Sequence, residues 1–246
     1  MSDIIKTEAI VLNKINYGDT SMIATFYTKE YGKLSGILKG GRSAKSRIGA
    51  AVNPINHIEI VLYKKDTREV QLVSAASIIS YFPNIKDDFE RIQYAFAVIE
   101  LLKKLTLEHE TNYRLFNGTV RILSLLETSN EEPLVIFGRY FLFFLTDMGY
   151  EFQFERCVSC GKSKFNTENL AYNFDLGIFC EQCSHENPYS SSIEMELFNY
   201  LLCLKYNKSA EKLSKSVKEK AIGFLERFTK HHIPDFKGLQ SIQLLK

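Results

Sequence analysis

The stretch Thr7-Glu-Ala-Ile-Val-Leu-Asn-Lys14, followed by Ser21-Met-Ile-Ala-Thr-Phe-Tyr-Thr28, decides how the first third of the chain folds. Both runs are short and rich in β-branched and aromatic residues, which suit a pleated, half-buried surface, and Tyr17-Gly18-Asp19 between them is a turn signal. The same alternation continues through residues 33–39, 57–63 and 69–74, punctuated by Glu30-Tyr31-Gly32, Gly40-Gly41 and Lys64-Lys65-Asp66-Thr67. Five short strands in about 80 residues predict a small closed barrel, the architecture that removes exposed sheet edges. An OB-type barrel over residues 1–80 is the first expectation and a small sandwich the alternative.

From Pro83 the period changes. Phe89, Ile92, Phe96, Ile99, Leu102 and Leu105 recur at helical spacing, as do Leu115, Val120, Leu123 and Leu126, and the run from Val135 to Met148. The fold class is therefore α+β: a barrel, then a helical domain over residues 81–246. Asn84 and Thr111 are suitable N-terminal caps, and Pro133 fits a first helical turn. Ser191-x-x-Glu194 reads as a capping box ahead of a helix from Ile193 to Tyr206. The segment from Ile136 to Leu145 is apolar nearly all round, which predicts the centre of a bundle. Arg139 lies inside it. An arginine there needs a buried carboxylate partner, or else it sits at the rim as a cation beside an apolar surface.

Two cysteine pairs interrupt the helical half, Cys157-Val-Ser-Cys160 and Cys180-Glu-Gln-Cys183, with nineteen residues between them. Two residues between sulfurs let one tight turn aim both at a single ion, so the spacing predicts a four-thiolate zinc hairpin at about 155–187. With every position filled by protein the ion would be structural. Two disulfides or four unlinked thiols are the competing readings, and His185, two residues past Cys183, could substitute for a ligand, with a solvated loop histidine the plainer reading. Cys203, within Leu201-Leu-Cys-Leu204, reads as a small core residue.

The 246 residues carry a net charge of only +2, but it is unevenly spread. Residues 1–80 hold eleven Lys/Arg against seven Asp/Glu, and from Lys29 to Arg47 six basic residues meet only Glu30. Lys39-Gly-Gly-Arg-Ser-Ala-Lys-Ser-Arg47 has little to bury and predicts a mobile cationic loop suited to a phosphate backbone. A solvated surface loop is the plainer alternative. Tyr17, Tyr27, Tyr31 and Tyr63 are nearby stacking candidates that are individually as well suited to a core.

Nothing in the sequence supports catalysis. Gly161-Lys162-Ser163 imitates the end of a P-loop, yet position 156 is arginine where glycine is needed. Asp87-Asp88 could hold Mg²⁺, although acidic residues early in a helix also favour its dipole. His231 and His232 are adjacent, so they are expected to point to different sides and not to share a ligand. The start lacks the pattern of a signal peptide and no run approaches a membrane span, so the reducing cytoplasm is the expected compartment.

Taken together, Thr7-Glu-Ala-Ile-Val-Leu12, Tyr17-Gly-Asp19, Tyr31-Gly32, Lys39-Gly-Gly-Arg42 with Lys45-Ser46, Asn53-Pro54, Met148-Gly-Tyr150 and the two cysteine pairs resemble, in order and spacing, the bacterial recombination-mediator family RecO. The resemblance covers nearly the whole chain. It implies an N-terminal OB-fold, a helical domain and an inserted zinc hairpin. It also implies a non-enzymatic role: binding single- and double-stranded DNA without sequence specificity, annealing complementary strands, and helping load the recombinase onto coated strands. The implied partners are RecR and the acidic, hydrophobic-ended tail of the single-stranded DNA-binding protein. The implied location is the cytoplasm, at the nucleoid. On this resemblance Lys39, Arg42, Lys45 and Arg47, with Lys33, match the basic DNA-binding elements, and Arg139 falls where the family holds the tail. The family usually has another small residue at position 41, and Gly41 is expected to loosen the loop. A metal-dependent hydrolase and a protein-only adaptor with a structural zinc site are the rival readings.

Overall fold

The computed structural model describes residues 3–165, 167–187, 189–208 and 213–243. Residues up to Pro133, joined by the segment from Leu239, form one compact unit, and Leu134–Gly238 form the other.

The first unit is built on a closed five-stranded barrel. Its strands are β1 (Asp3–Tyr17), β2 (Ser21–Thr28), β3 (Gly32–Leu38), β4 (His57–Lys64) and β5 (Val70–Ser80), in the order β1-β2-β3-β5-β4. Only β3 and β5 run parallel; β4 returns to pair with β1 and closes the cylinder. Closure decides against the sandwich. The interior is filled by one row of alternate residues from each strand, among them Val11, Ala24, Phe26, Leu34, Ile60, Leu62 and Val73. A short helix α1 (Arg47–Ala51) follows β3, and Ile48 and Val52 from it and its C-cap join that interior.

Helices α2 (Pro83–Asp87), α3 (Phe89–Leu105) and α4 (Tyr113–Thr128) belong to the same compact unit as the barrel. Tyr27 is buried and stacks on Phe116 of α4, which makes it core and not a stacking surface. The caps differ from expectation in detail. Asp88 caps α3 by accepting from the Arg91 N–H, and Asn112, not Thr111, caps α4 by accepting from Leu115. Asp88 is thus occupied by its own helix.

In the second unit α5 (Pro133–Asp147) is buried along most of its length. Gly138 brings it close to two later helices, because a Cβ there would lie 3.1 Å from Leu204 and 3.5 Å from Ile222. Next come β6 (Asn169–Asn173), β7 (Gly177–Phe179), α6 (Glu181–Ser184), β8 (Ser191–Glu194), α7 (Met195–Lys205) and α8 (Lys215–His232). Ser191–Glu194 is not a capping box. It is a strand that adds to β6 in a three-stranded sheet, β7-β6-β8, and the helix starts only at Met195. Backbone pairing to β6 outcompetes the local cap. A final turn, α9 (Gln240–Gln243), returns to the first unit, where the buried Glu100 carboxylate of α3 accepts from the backbone N–H groups of Gln240 and Ser241.

Candidate nucleic-acid interface and candidate metal centre

The six basic residues between Lys29 and Arg47 do not share one fate. Lys29 pairs with Glu8 at 2.8 Å, and Glu8 also meets His57 Nε2 at 2.9 Å. The hydrogen bond from Lys29 holds the Glu8 carboxyl below its usual range against the opposing effect of burial. Lys33 is only 8% exposed. Its ammonium donates to the Lys103 and Thr106 carbonyls at the C-terminal end of α3, a place where a cation is favoured by the helix dipole. Lys33 therefore does not join the other cations, which corrects its grouping with the basic loop.

Lys39, Arg42, Lys45 and Arg47 are all exposed, and among the described residues none forms an ion pair with a carboxylate. The loop carrying them is folded into successive turns. Gly40 takes a left-handed φ of 67°, Gly41 N–H bonds the Leu38 carbonyl at 3.2 Å, and Ser43 and Ser46 N–H groups bond Gly40 and Ser43 carbonyls at 3.1 and 2.8 Å. Ser46 Oγ then caps α1 by accepting from Gly49 N–H at 3.1 Å. The two ends of the loop touch, since a Cβ on Gly49 would stand 1.8 Å from the Gly41 carbonyl oxygen. Gly41 itself is buried against Met22 and Leu38. Glycine at position 41 thus permits close packing, and the loop is not loosened by it.

Arg42 fastens this loop to the β1–β2 turn. Its N–H bonds the Thr20 carbonyl at 2.9 Å, and Nη1 donates to the Gly18 and Asp19 carbonyls at 3.0 and 3.1 Å. Tyr17, which leads into that turn, is 55% exposed, as is Ile15. Arg42 thus ties the cationic loop to the turn that follows the exposed Tyr17 ring. The stacking signal was legible for Tyr17, but nothing in the sequence separated it from Tyr27.

The four cysteine sulfurs lie within 4.8 Å of one another, and Cys160 and Cys180 Sγ are 3.7 Å apart. Tetrahedral zinc with Zn–S bonds near 2.3 Å sets sulfurs about 3.8 Å apart, so the donor set and its spacing fit that ion. The two turns are built alike. The Cys157 carbonyl accepts from Gly161 N–H and the Cys180 carbonyl from Ser184 N–H, each at 2.9 Å. Burial pushes the Cys157 thiol up, but N–H groups of Cys180, Cys160 and Ser159 bring it down to about 6. Cys183 moves the other way, to about 12, because its thiol donates to the Cys180 sulfur and is crowded by the other two. A bound cation would favour the thiolate form of all four. His185 is not part of the cluster.

Arg139 is half-buried on α5, with Nη2 3.3 Å from the Lys208 carbonyl. His231 and His232 do not diverge as expected. With Asp175 they form a second group of potential ligand atoms within 4.8 Å. No described helix is long and apolar enough to cross a membrane.

A closed five-stranded OB-type barrel carrying a cationic loop, followed by helices and a hairpin that gathers four cysteines, defines an α+β protein with a barrel-based N-terminal part. Family models for the N-terminal part of recombination protein O match residues 1–82 and for its C-terminal part residues 86–240. The chain belongs to the RecO family. A DNA repair protein RecO from Alkaliphilus metalliredigens is 33% identical over 81% of this chain and 81% of its own length. One from Chlorobium limicola is 36% identical over 65% of this chain, a match that spans 61% of that relative. One from Acetivibrio thermocellus is 25% identical over 94% of this chain and 91% of its own length.

Proposed function

We propose that the chain is a non-enzymatic DNA-binding protein of recombinational repair. On this reading the barrel, residues 1–80, is the DNA-binding domain, and the protein binds single- and double-stranded DNA without reading sequence, anneals complementary strands and helps load recombinase onto coated single strands. The supporting observation is the group of four exposed cations, Lys39, Arg42, Lys45 and Arg47, on one folded loop with no carboxylate partner among the described residues. Annealing requires two polyanions to approach, and cations that neutralise phosphates without contacting base edges lower that repulsion for any sequence. The region 81–246 supplies the scaffold. Its hairpin at about 155–187 holds structural Zn²⁺ on Cys157, Cys160, Cys180 and Cys183, and cysteines not linked as disulfides suit a reducing cytoplasm. Arg139, on an apolar helix, suits the acidic, hydrophobic-ended tail of the single-stranded DNA-binding protein, and RecR is the other partner.

The test is strand annealing with labelled complementary oligonucleotides, comparing the chain with a variant in which Lys39, Arg42, Lys45 and Arg47 are all alanine. The folded variant should lose both annealing and DNA binding. Unchanged binding would favour the protein-only adaptor.

A further inference from the structure

The hairpin made by β6 and β7 ends in the turn Phe174-Asp175-Leu176, at the end of β7 away from Cys180. That turn meets the C-terminal end of α8. His231 Nε2 lies 2.8 Å from Asp175 Oδ1, and His232 Nε2 lies 3.3 Å from the Phe174 carbonyl. We propose that Asp175, His231 and His232 form a second divalent-metal site, separate from the four cysteines, which pins the hairpin tip to α8.

The chemistry of each donor fits. A carbonyl can only accept, so the contact with Phe174 puts the His232 proton on Nε2 and leaves Nδ1 with its lone pair. An imidazole whose other nitrogen is anchored to a backbone carbonyl is the usual arrangement of a metal-ligating histidine. His231 turns a nitrogen to a carboxylate oxygen already at 2.8 Å. Two imidazoles and one carboxylate suit Zn²⁺ and its borderline neighbours. Tetrahedral bonds of 2.0–2.1 Å put ligand atoms about 3.3 Å apart. The observed group, all within 4.8 Å, reaches that by small rotations of its side chains.

The imidazoles are also held in place. The His232 ring packs edge-on to Phe228 with centroids 4.5 Å apart and lies 5.7 Å from Tyr150, while His231 lies 5.5 Å from Phe174. Asp175 and His231 side chains are 60% and 42% exposed, so water can complete the coordination. The placement gives the site a purpose. β7 has three residues, about 10 Å, and such a hairpin has little core of its own. Thiolates would fix its base and imidazoles its tip.

The test is a zinc titration of the full chain, already loaded with one equivalent, against a chromogenic chelator. A second, weaker equivalent is expected. Asp175→Asn and the double variant His231→Ala/His232→Ala should weaken it at least tenfold while leaving the first equivalent intact. Cys157→Ser should remove the first and spare the second, so failure of the thiolate site is read separately. Amide exchange across residues 172–178 should slow on the second equivalent only in chains with both histidines. A single equivalent at saturation, or a second one that survives in the double variant, would overturn the proposal.

Discussion

Neutralising the loop is the perturbation whose size can be worked out from the structure. If the four exposed cations, which have no carboxylate partner among the described residues, each displace one counterion, each contributes a slope of about −0.7 to log K against log salt on single strands. The expected slope is therefore about −2.8, equivalent to roughly a fiftyfold loss of affinity between about 50 and about 200 mM salt. Each of Lys39→Ala, Lys45→Ala and Arg47→Ala should reduce the slope by about 0.7 and affinity by about fivefold near 0.1 M salt, equally for all sequences. Arg42 differs. It donates to the Gly18 and Asp19 carbonyls, so Arg42→Ala also releases the β1–β2 turn and should cost more than the others. Arg42→Lys restores charge but not both bonds, and should recover the slope without the full affinity. The assay is fluorescence anisotropy of labelled random-sequence strands across a salt series. If the variant lacking all four cations kept the wild-type slope, or if affinity fell without any change in slope, the loop would not be the phosphate-binding element.

Four further outcomes follow from particular contacts. Stripping metal with a strong chelator should open the segment 157–184 to proteolysis while the barrel stays folded, since the barrel has its own buried interior; equal loss of both would show that the hairpin is not the metal-dependent part. Gly49→Ala forces a Cβ against the Gly41 carbonyl and should cost roughly 1–3 kcal/mol in thermal or urea unfolding, with weaker DNA binding; a neutral result would mean that the loop ends do not pack. Asp88→Ala removes the cap of α3 and should cost about 1 kcal/mol with DNA binding unchanged. Burial pushes the Glu100 carboxyl up, but Lys104, the Ser241 hydroxyl and the N–H groups of Ser241 and Gln240 hold it below the ordinary 4.5. Its contribution is complete above that ordinary value and is lost as pH falls through the lower folded value. Amide exchange at residues 240–243 should accelerate over that acidic window and in Glu100→Gln at neutral pH; acid-insensitive exchange there would refute the clasp.

The barrel was readable because strand patterning is a local signal: all five strands lie where β-branched runs and turn residues put them. The cysteine cluster was equally plain, since two-residue spacing leaves few alternatives. Long-range pairing was hidden. Nothing near Ser191 announces that β6 has an open edge to fill, so the local capping pattern was the stronger signal until the sheet was seen. Lys33 carried the same charge as Lys39 in the sequence, and only the placement of α3 beside β3 turned it into a helix-terminus anchor. The pairing of His231 and His232 with Asp175 bridges 56 residues between helix and hairpin, a separation that no motif spans.

The ordering of the basic loop bears on mechanism. A mobile loop would lose backbone freedom each time it gripped a strand, at a cost of about 1–2 kcal/mol per residue fixed. Here the turns, the Ser46 cap and the contact between Gly41 and Gly49 tie the loop backbone together, while Lys39, Lys45 and Arg47 are exposed. On the proposed function, strand binding would then cost chiefly side-chain freedom and would depend on counterion release more than on a folding step. Such contacts would form and dissolve with similar ease along any strand. That is the property an annealing protein needs, because two strands must be held close without either being held in a register that opposes pairing. A variant loop lengthened by flexible glycines between Ser43 and Lys45 keeps every charge but reintroduces the ordering cost. It should bind more weakly with the salt slope unchanged, which separates preorganisation from charge in a single anisotropy series.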